Sequence, residues 1–112
     1  MSELEDALNE LQLHNQQLQT VMMQKQSLMI QDKEMEKALE EIEKSGGEEI
    51  FKSIGPILVK TSKEAIKKDL EEGREEAELK IKTLEKQEIK IKQKIKSMQE
   101  RFQALTQGGS GG

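Results

Sequence analysis

The sole proline of the chain, Pro56, sits behind Gly55 in the middle of a stretch unlike its surroundings, Glu49–Thr61, reading EIFKSIGPILVKT. No helix runs through Gly-Pro easily, because proline lacks the N–H that would bond back one turn and its ring crowds the preceding carbonyl. The stretch is rich in β-branched and aromatic residues, with Ile50, Phe51 and Ile54 before the Gly-Pro pair and Ile57, Leu58 and Val59 after it. Two short apolar runs around such a pair predict a β-hairpin at about 49–61. With Gly55-Pro56 as the whole loop, Ile54 faces Ile57 and Lys52 faces Val59. Ile50, Ile54, Ile57 and Val59 then share one face of the ribbon, and Phe51 and Leu58 share the other. A lone two-stranded ribbon is marginal in water and has unpaired edges, so a ribbon apolar on both faces requires partners.

Both flanks read as long helix. From Leu4 to Ile42 apolar residues recur at steps of four and three: Leu4, Leu8, Leu11, Leu18, Val21 or Met22, Leu28 or Met29, Met35, Leu39 and Ile42. Polar Asn15, Lys25 and Asp32 fill the remaining seam positions in this count, with one slip of the seam near residues 15–21. No proline or glycine interrupts the run, which predicts a helix at about 4–44, on the order of 60 Å long. Ser45-Gly46-Gly47 ends it, a glycine supplying a left-handed cap. Ser62 is the expected N-cap of a second helix at about 62–106, with Glu64 in its first turn. Its seven-residue column is Leu70, Ala77, Leu84, Ile91, Met98 and Leu105. The companion column is Ile66, Gly73, Ile81, Glu88, Ile95 and Phe102, with a second slip at 73–77–81. Gly108–Gly112 reads as a flexible glycine-rich tail.

Two helices of similar length joined by a short hairpin are expected to fold back as an antiparallel coiled coil, pairing residue i with roughly residue 106 − i. Charge agrees: residues 1–45 carry ten acids and four bases, net −6, and residues 46–112 carry twelve acids and fourteen bases, net +2. The acidic start, Glu3, Glu5, Asp6 and Glu10, is expected beside Lys90, Lys92, Lys94, Lys96 and Arg101, since flanking charges set orientation in coiled coils. The fold class is therefore mainly α, a long antiparallel two-helix coiled coil with one β-hairpin, and residues 1–107 form a single unit.

Composition narrows the function. With 33% hydrophobic and 36% charged residues there is too little apolar bulk for a sizeable globular core. A net charge of −4 weighs against a dedicated nucleic-acid binder, and the lysine stripe from Lys80 to Lys96 lacks interleaved aromatics. There is no cysteine, and His14 is the only histidine, so neither thiolate nor histidine-cluster metal sites arise. Gly46-Gly47 has no nucleotide-binding context. No cofactor and no enzymatic chemistry are indicated. The N-terminus is acidic rather than signal-like, and no apolar run approaches a membrane span, so a cytoplasmic protein is expected.

The segment IFKSIGPILVK, flanked by helices containing MQKQSLMIQDKEMEKALEEIE and LKIKTLEKQEIKIKQKI, resembles the beta-type subunits of prefoldin, most of all the archaeal form. The similarity covers essentially everything except the glycine tail. Ser53 stands where the family often has an apolar residue, and Phe51 where tyrosine is common. The resemblance implies a hetero-hexamer of two alpha-type and four beta-type subunits whose hairpins assemble into β-barrels, here through Ile50, Phe51, Ile54, Gly55, Ile57, Leu58 and Val59. It implies coiled-coil tentacles that hold unfolded client proteins at their tips without ATP and pass them to a group II chaperonin. At the tip of this chain the resemblance points to Leu4, Leu8, Leu11, Met98, Phe102 and Leu105. Some relatives join their hairpins into filaments, so a structural module that self-assembles without binding clients is the alternative.

Overall fold

The computed structural model describes residues 2–47 and 49–110, and within them the order of elements is α1 (Glu3–Lys44), β1 (Ile50–Ile54), β2 (Ile57–Thr61) and α2 (Lys63–Ser110). Local chemistry sets each boundary. Ser2 caps α1: its Oγ accepts from the Glu5 N–H at 3.1 Å, and Glu3, Glu5 and Asp6 place negative charge against the positive end of the helix dipole. At the other end the Ser45 hydroxyl donates to the Ile42 carbonyl at 2.8 Å, and the left-handed residue beyond it is Gly47, with φ of 85°. Ser62 caps α2 as expected, its Oγ accepting from the Ala65 N–H at 3.1 Å.

The hairpin has the expected register, Ile50 against Thr61, Phe51 against Lys60, Lys52 against Val59, Ser53 against Leu58 and Ile54 against Ile57. Gly55 has φ of 55°, which suits the first central position of a type II′ turn, and Pro56 takes the second, where no ladder hydrogen bond is needed. The second helix departs from expectation at its end. It continues past Thr106 through Gly108 and Gly109 to Ser110, where a tail was expected. A glycine costs only about 1 kcal/mol relative to alanine in a helix and keeps its N–H, so glycine does not stop a helix as proline does. Gly111 and Gly112 lie outside the described residues.

The chain divides into two compact units: residues up to Gln26 with those from Lys82 onward, and Ser27–Ile81. In the first unit the beginning of α1 packs antiparallel to the end of α2. Its buried apolar side chains are Ala7, Val21 and Met98, with Ala7 only 1% exposed. In the second, the end of α1 packs antiparallel to the start of α2 beside the hairpin, and Ala77 is its buried apolar residue.

The buried and half-buried positions correct the expected seams. On α1 they run Ala7, Leu11, His14, Leu18, Val21, Lys25, Leu28, Asp32, Met35, Leu39 and Ile42, in steps of four and three, with Glu36 and Ala38 half-buried beside them. On α2 they are Lys63, Ile66, Lys67, Leu70, Gly73, Arg74, Ala77, Ile81, Leu84, Glu88, Ile91, Ile95, Met98, Phe102 and Leu105, doubled at 66–67 and at 73–74. The slip expected on α1 near residues 15–21 is absent. Ala7 and His14 hold the places assigned to Leu8 and Asn15, while on α2 the expected Ile66 and Gly73 are half-buried with Lys67 and Arg74 half-buried beside them. Gly73 lies in the contact between the helices, beneath Met35: a Cβ at Gly73 would lie 2.7 Å from the Met35 Sδ. The glycine is there because the thioether lies where a side chain would begin.

Candidate functional site

The hairpin presents apolar side chains on both faces. Lys52, Ile54, Ile57 and Val59 lie exposed on one face, and Phe51, Ser53, Leu58 and Lys60 on the other. Leu58 is the most exposed of the apolar group at 72%. Only Ile50 and Thr61, nearest the helices, are half-buried. The sheet contains just these two strands, so each has an outer edge of unpaired backbone groups. Lys52 pairs with Asp69 of α2 at 3.2 Å, and Lys60 pairs with Glu49 at 3.2 Å.

The six apolar residues assigned to the coil end fall into three groups. Leu4 and Leu8 are exposed, at 38% and 40%. Leu11, Phe102 and Leu105 are half-buried seam residues, and Met98 is buried. Leu8 is exposed because it sits beside the seam, the inward position having gone to Ala7. Next to these residues an open groove of about 440 Å³ is lined by Glu10, His14, Lys90, Gln93, Lys94, Ser97 and Met98. It has a buried apolar floor at Met98 and a charged rim. The expected charge complementarity does not take the form of ion pairs. Among the described residues no carboxylate of Glu3, Glu5, Asp6 or Glu10 pairs with Lys90, Lys94, Lys96 or Arg101, and Lys92 pairs with Glu88 of its own helix. All four of these acidic residues are exposed, and an exposed lysine gains little by giving up rotamer freedom for one carboxylate.

Charge is paired inside the seam instead. Lys25 donates to Glu88 at 2.7 Å, and Lys92 approaches the other oxygen of Glu88 at 3.0 Å. Arg74 donates through Nε to Asp32 at 2.9 Å, and its Nη2 lies 3.5 Å from Glu36 and 3.8 Å from Glu78. Lys67 pairs with Glu43. The hydrogen bonds from Lys25 and Lys92 hold the Glu88 carboxyl below the usual carboxylate range, and the bond from Lys67 does the same for Glu43. The reciprocal bonds raise Lys25, Lys67 and Arg74. Lys25 and Glu88 lie farther apart along the chain than the 106 − i register suggests. Helical side chains lean toward their own N-terminus, so in an antiparallel pair the two lean toward each other and span the difference. Polar Lys25, Asp32 and Glu88 were visible in the sequence as seam interruptions. The opposite signs of Lys25 and Glu88 were the signal of their pairing, whereas the partner of Asp32, Arg74, was not among those positions.

Among the described residues no group of His, Asp and Glu side chains is arranged to hold a metal ion, and no helix is long and apolar enough to cross a membrane.

The prefoldin subunit family model matches residues 3–109. The chain is 36% identical over 104 residues to prefoldin subunit beta of Archaeoglobus fulgidus, covering 92% of this chain and 90% of that protein. It is 39% identical over 98 residues to prefoldin subunit beta of Pyrococcus furiosus, covering 87% and 84%. The crystal structure of the prefoldin beta subunit from Thermococcus strain KS-1 superposes with a TM-score of 0.86 at 33% identity, covering 94% of this chain and 93% of that one. The beta2 subunit from the same strain superposes with a TM-score of 0.70 at 28% identity, covering 86% and 99%. Two capped helices, one two-residue hairpin between them and relatives matched over nearly their whole length agree: the chain belongs to the prefoldin family, as a beta-type subunit of the archaeal kind.

Proposed function

We propose that this subunit works in an ATP-independent holdase: its hairpin joins it to alpha-type subunits and to further copies of itself in a hetero-hexamer. The apolar end of the first unit captures unfolded proteins for transfer to a group II chaperonin. The observation that carries this reading is the exposure of Leu4 and Leu8 beside the half-buried Leu11, Phe102 and Leu105. Unfolded proteins share exposed apolar surface and little else. The hydrophobic effect suits them because it is non-directional and scales with area, at roughly 25 cal/mol per Å². A few leucines give a weak, quickly reversible contact, and several subunits acting on one client supply avidity while permitting stepwise release.

The test replaces Leu4 and Leu8 by serine. Both are exposed, so the coil should keep its helicity by circular dichroism and the assembly its mass by native mass spectrometry. Protection of a denatured reporter protein from aggregation should fall progressively as mutant subunits are titrated into wild-type assemblies. Full protection by the all-mutant assembly would place the client surface elsewhere. Assembly through the hairpin with no protection even by wild type would favour the self-assembling structural module.

A further inference from the structure

Residues 11–24 of α1 contain no Asp, Glu, Lys or Arg, in a chain in which 36% of residues are charged. Six of these fourteen residues are amides: Gln12, Asn15, Gln16, Gln17, Gln19 and Gln24. The outer face of a coiled coil is ordinarily built of glutamate and lysine, which keep it wet and pair one turn apart. Amides keep a face wet as well, but they leave it neutral. Within the first unit this stretch forms one wall of a groove of about 450 Å³, and Gln87 and Ile91 of α2 form the other. Val21 is buried there and Ile91 half-buried, while Leu13, which the seam does not use, is 51% exposed. The polar lining is Gln16, Gln17, Thr20 and Gln87, and no lining residue is charged. Thr20 donates to the Gln16 carbonyl at 3.1 Å, and the Gln17 Oε1 lies 3.2 Å from the His14 Nδ1. The side-chain amides of Gln16 and Gln87 bond to neither helix among the described residues, so they are free to bond a ligand in place of water.

We propose that this groove is a second contact for the proteins the assembly holds, one that recognises the main chain of an extended, unfolded segment. The inference rests on the holdase reading but not on the apolar coil end. A peptide group is neutral and offers one N–H and one C=O, and in an extended unfolded segment neither has a protein partner. A glutamine amide is the same chemical group on a side chain, so it pairs with peptide groups whatever sequence carries them. Lysine or glutamate in the lining would sort segments by charge, and covering an unpaired charge costs far more than covering an amide. The dimensions agree. From Leu13 to Thr20 the helix rises about 10 Å, the length of about three residues of extended chain at about 3.3 Å each. Alternate side chains of such a segment meet Leu13, Val21 and Ile91, while its two backbone edges face Gln16 and Gln17 on one wall and Gln87 on the other. A folded helix, including that of a second copy of this chain, has its peptide groups bonded internally and offers the amides nothing that water does not.

Glutamine and methionine are both unbranched and have nearly equal helix propensity, and Gln16 and Gln87 are exposed. Gln16→Met with Gln87→Met therefore keeps the fold, by circular dichroism, while making the groove more apolar. The ligand for the test is a capped peptide of alternating leucine and serine, added to the full chain. Binding is read by NMR from the side-chain NH2 resonances of Gln16, Gln17 and Gln87, and in the variant from that of Gln17. The peptide should shift these resonances, and the methionine variant should bind it about 4- to 100-fold more weakly, at about 2- to 10-fold per amide. The same peptide with its backbone nitrogens methylated should also bind the wild-type chain more weakly. Equal or tighter binding by the methionine variant would overturn the proposal, because the groove would then act by apolar burial alone. Equal binding of the methylated peptide would overturn it too. Shifts that appear on raising the protein concentration without peptide would overturn it in favour of a second copy. The Leu4→Ser, Leu8→Ser chain should give the same peptide shifts as wild type whatever happens to its aggregation protection, so the groove and the coil end are judged separately. Loss of the shifts in that chain would assign the peptide to the coil end and overturn the groove.

Discussion

Leu58 is the sharpest handle on assembly. It is 72% exposed, faces solvent from β2 and has Ser53 as its cross-strand neighbour, so its removal breaks no packing within the subunit. Fully burying a leucine stabilises by about 1.5–3 kcal/mol, so covering the exposed part contributes about 1–2 kcal/mol per copy. Leu58→Ser should thus weaken each hairpin contact about 5- to 30-fold, because about 1.4 kcal/mol is a factor of ten. For the whole apolar group of Phe51, Ile54, Ile57, Leu58 and Val59 the same reasoning gives about 4–8 kcal/mol per hairpin, an upper figure because unfolded and free states already shield some area. The measurement is a dilution series by sedimentation velocity, alone and mixed with an alpha-type subunit, with Ser53→Ala as the neutral control. Helix content by circular dichroism should not change. An unchanged dissociation midpoint for Leu58→Ser would show that this face of the hairpin stays in water in the assembly, and the area argument would fail.

Two further outcomes follow from contacts inside the subunit. Gly73→Ala sets about 1 kcal/mol of helix propensity against a displaced Met35 thioether, so thermal melting should move little; in a Met35→Ala background the same change should stabilise by about 1 kcal/mol. Additivity of the two changes would rule out the contact. The second concerns pH. Glu88 and Glu43 are held below the usual carboxylate range by their lysine partners, so what they contribute is complete above the unfolded glutamate value of about 4.3 and is lost as pH falls through the lower folded value. Lys25 and Lys67 are raised, so their contribution is complete below the unfolded lysine value of about 10.4 and is lost as pH rises through the higher folded value. Melting temperature should be level between about pH 5 and pH 10, and the fall below pH 4 should be smaller in a Lys25→Leu, Glu88→Leu variant. Equal acid falls in variant and wild type would contradict the pairing.

The hairpin was fully legible, down to the pairing of Lys52 with Val59 and the distribution of side chains between faces, because Gly-Pro fixes the loop and alternation does the rest. The cap at Ser62 was legible too, whereas the one at Ser2, followed three residues later by Glu5, passed as part of an acidic start. The seam was misread where size and periodicity disagree. Leu8 has more apolar surface than Ala7, and on α2 the half-buried Lys67 and Arg74 beside the expected Ile66 and Gly73 were passed over because they are charged. Periodicity prevailed because an antiparallel pair buries a geometric line along each helix, whatever stands on it. The charges on that line are tolerated because each meets its opposite. At the coil end the apolar residues were identifiable, but their division into exposed Leu4 and Leu8 and buried Met98 depended on that same line.

The two attachments of the hairpin differ, and this has a mechanical consequence. Between β1 and α1 lie five residues including Gly46 and Gly47, while between β2 and α2 lies Ser62 alone, held by its cap. Lys52 on β1 reaches the same helix through Asp69. The longer run is tied to α2 as well, since Lys63 donates to the Ser45 carbonyl at 3.4 Å. In the proposed assembly a pull on the ribbon by a partner strand would therefore reach α2 first, through Ser62, through Lys52 on Asp69 and through Lys63. The second helix would then carry the load of assembly at the ribbon, and the first would feel it through the side chains that α2 presents to it, Arg74 on Asp32 and Lys67 on Glu43 among them.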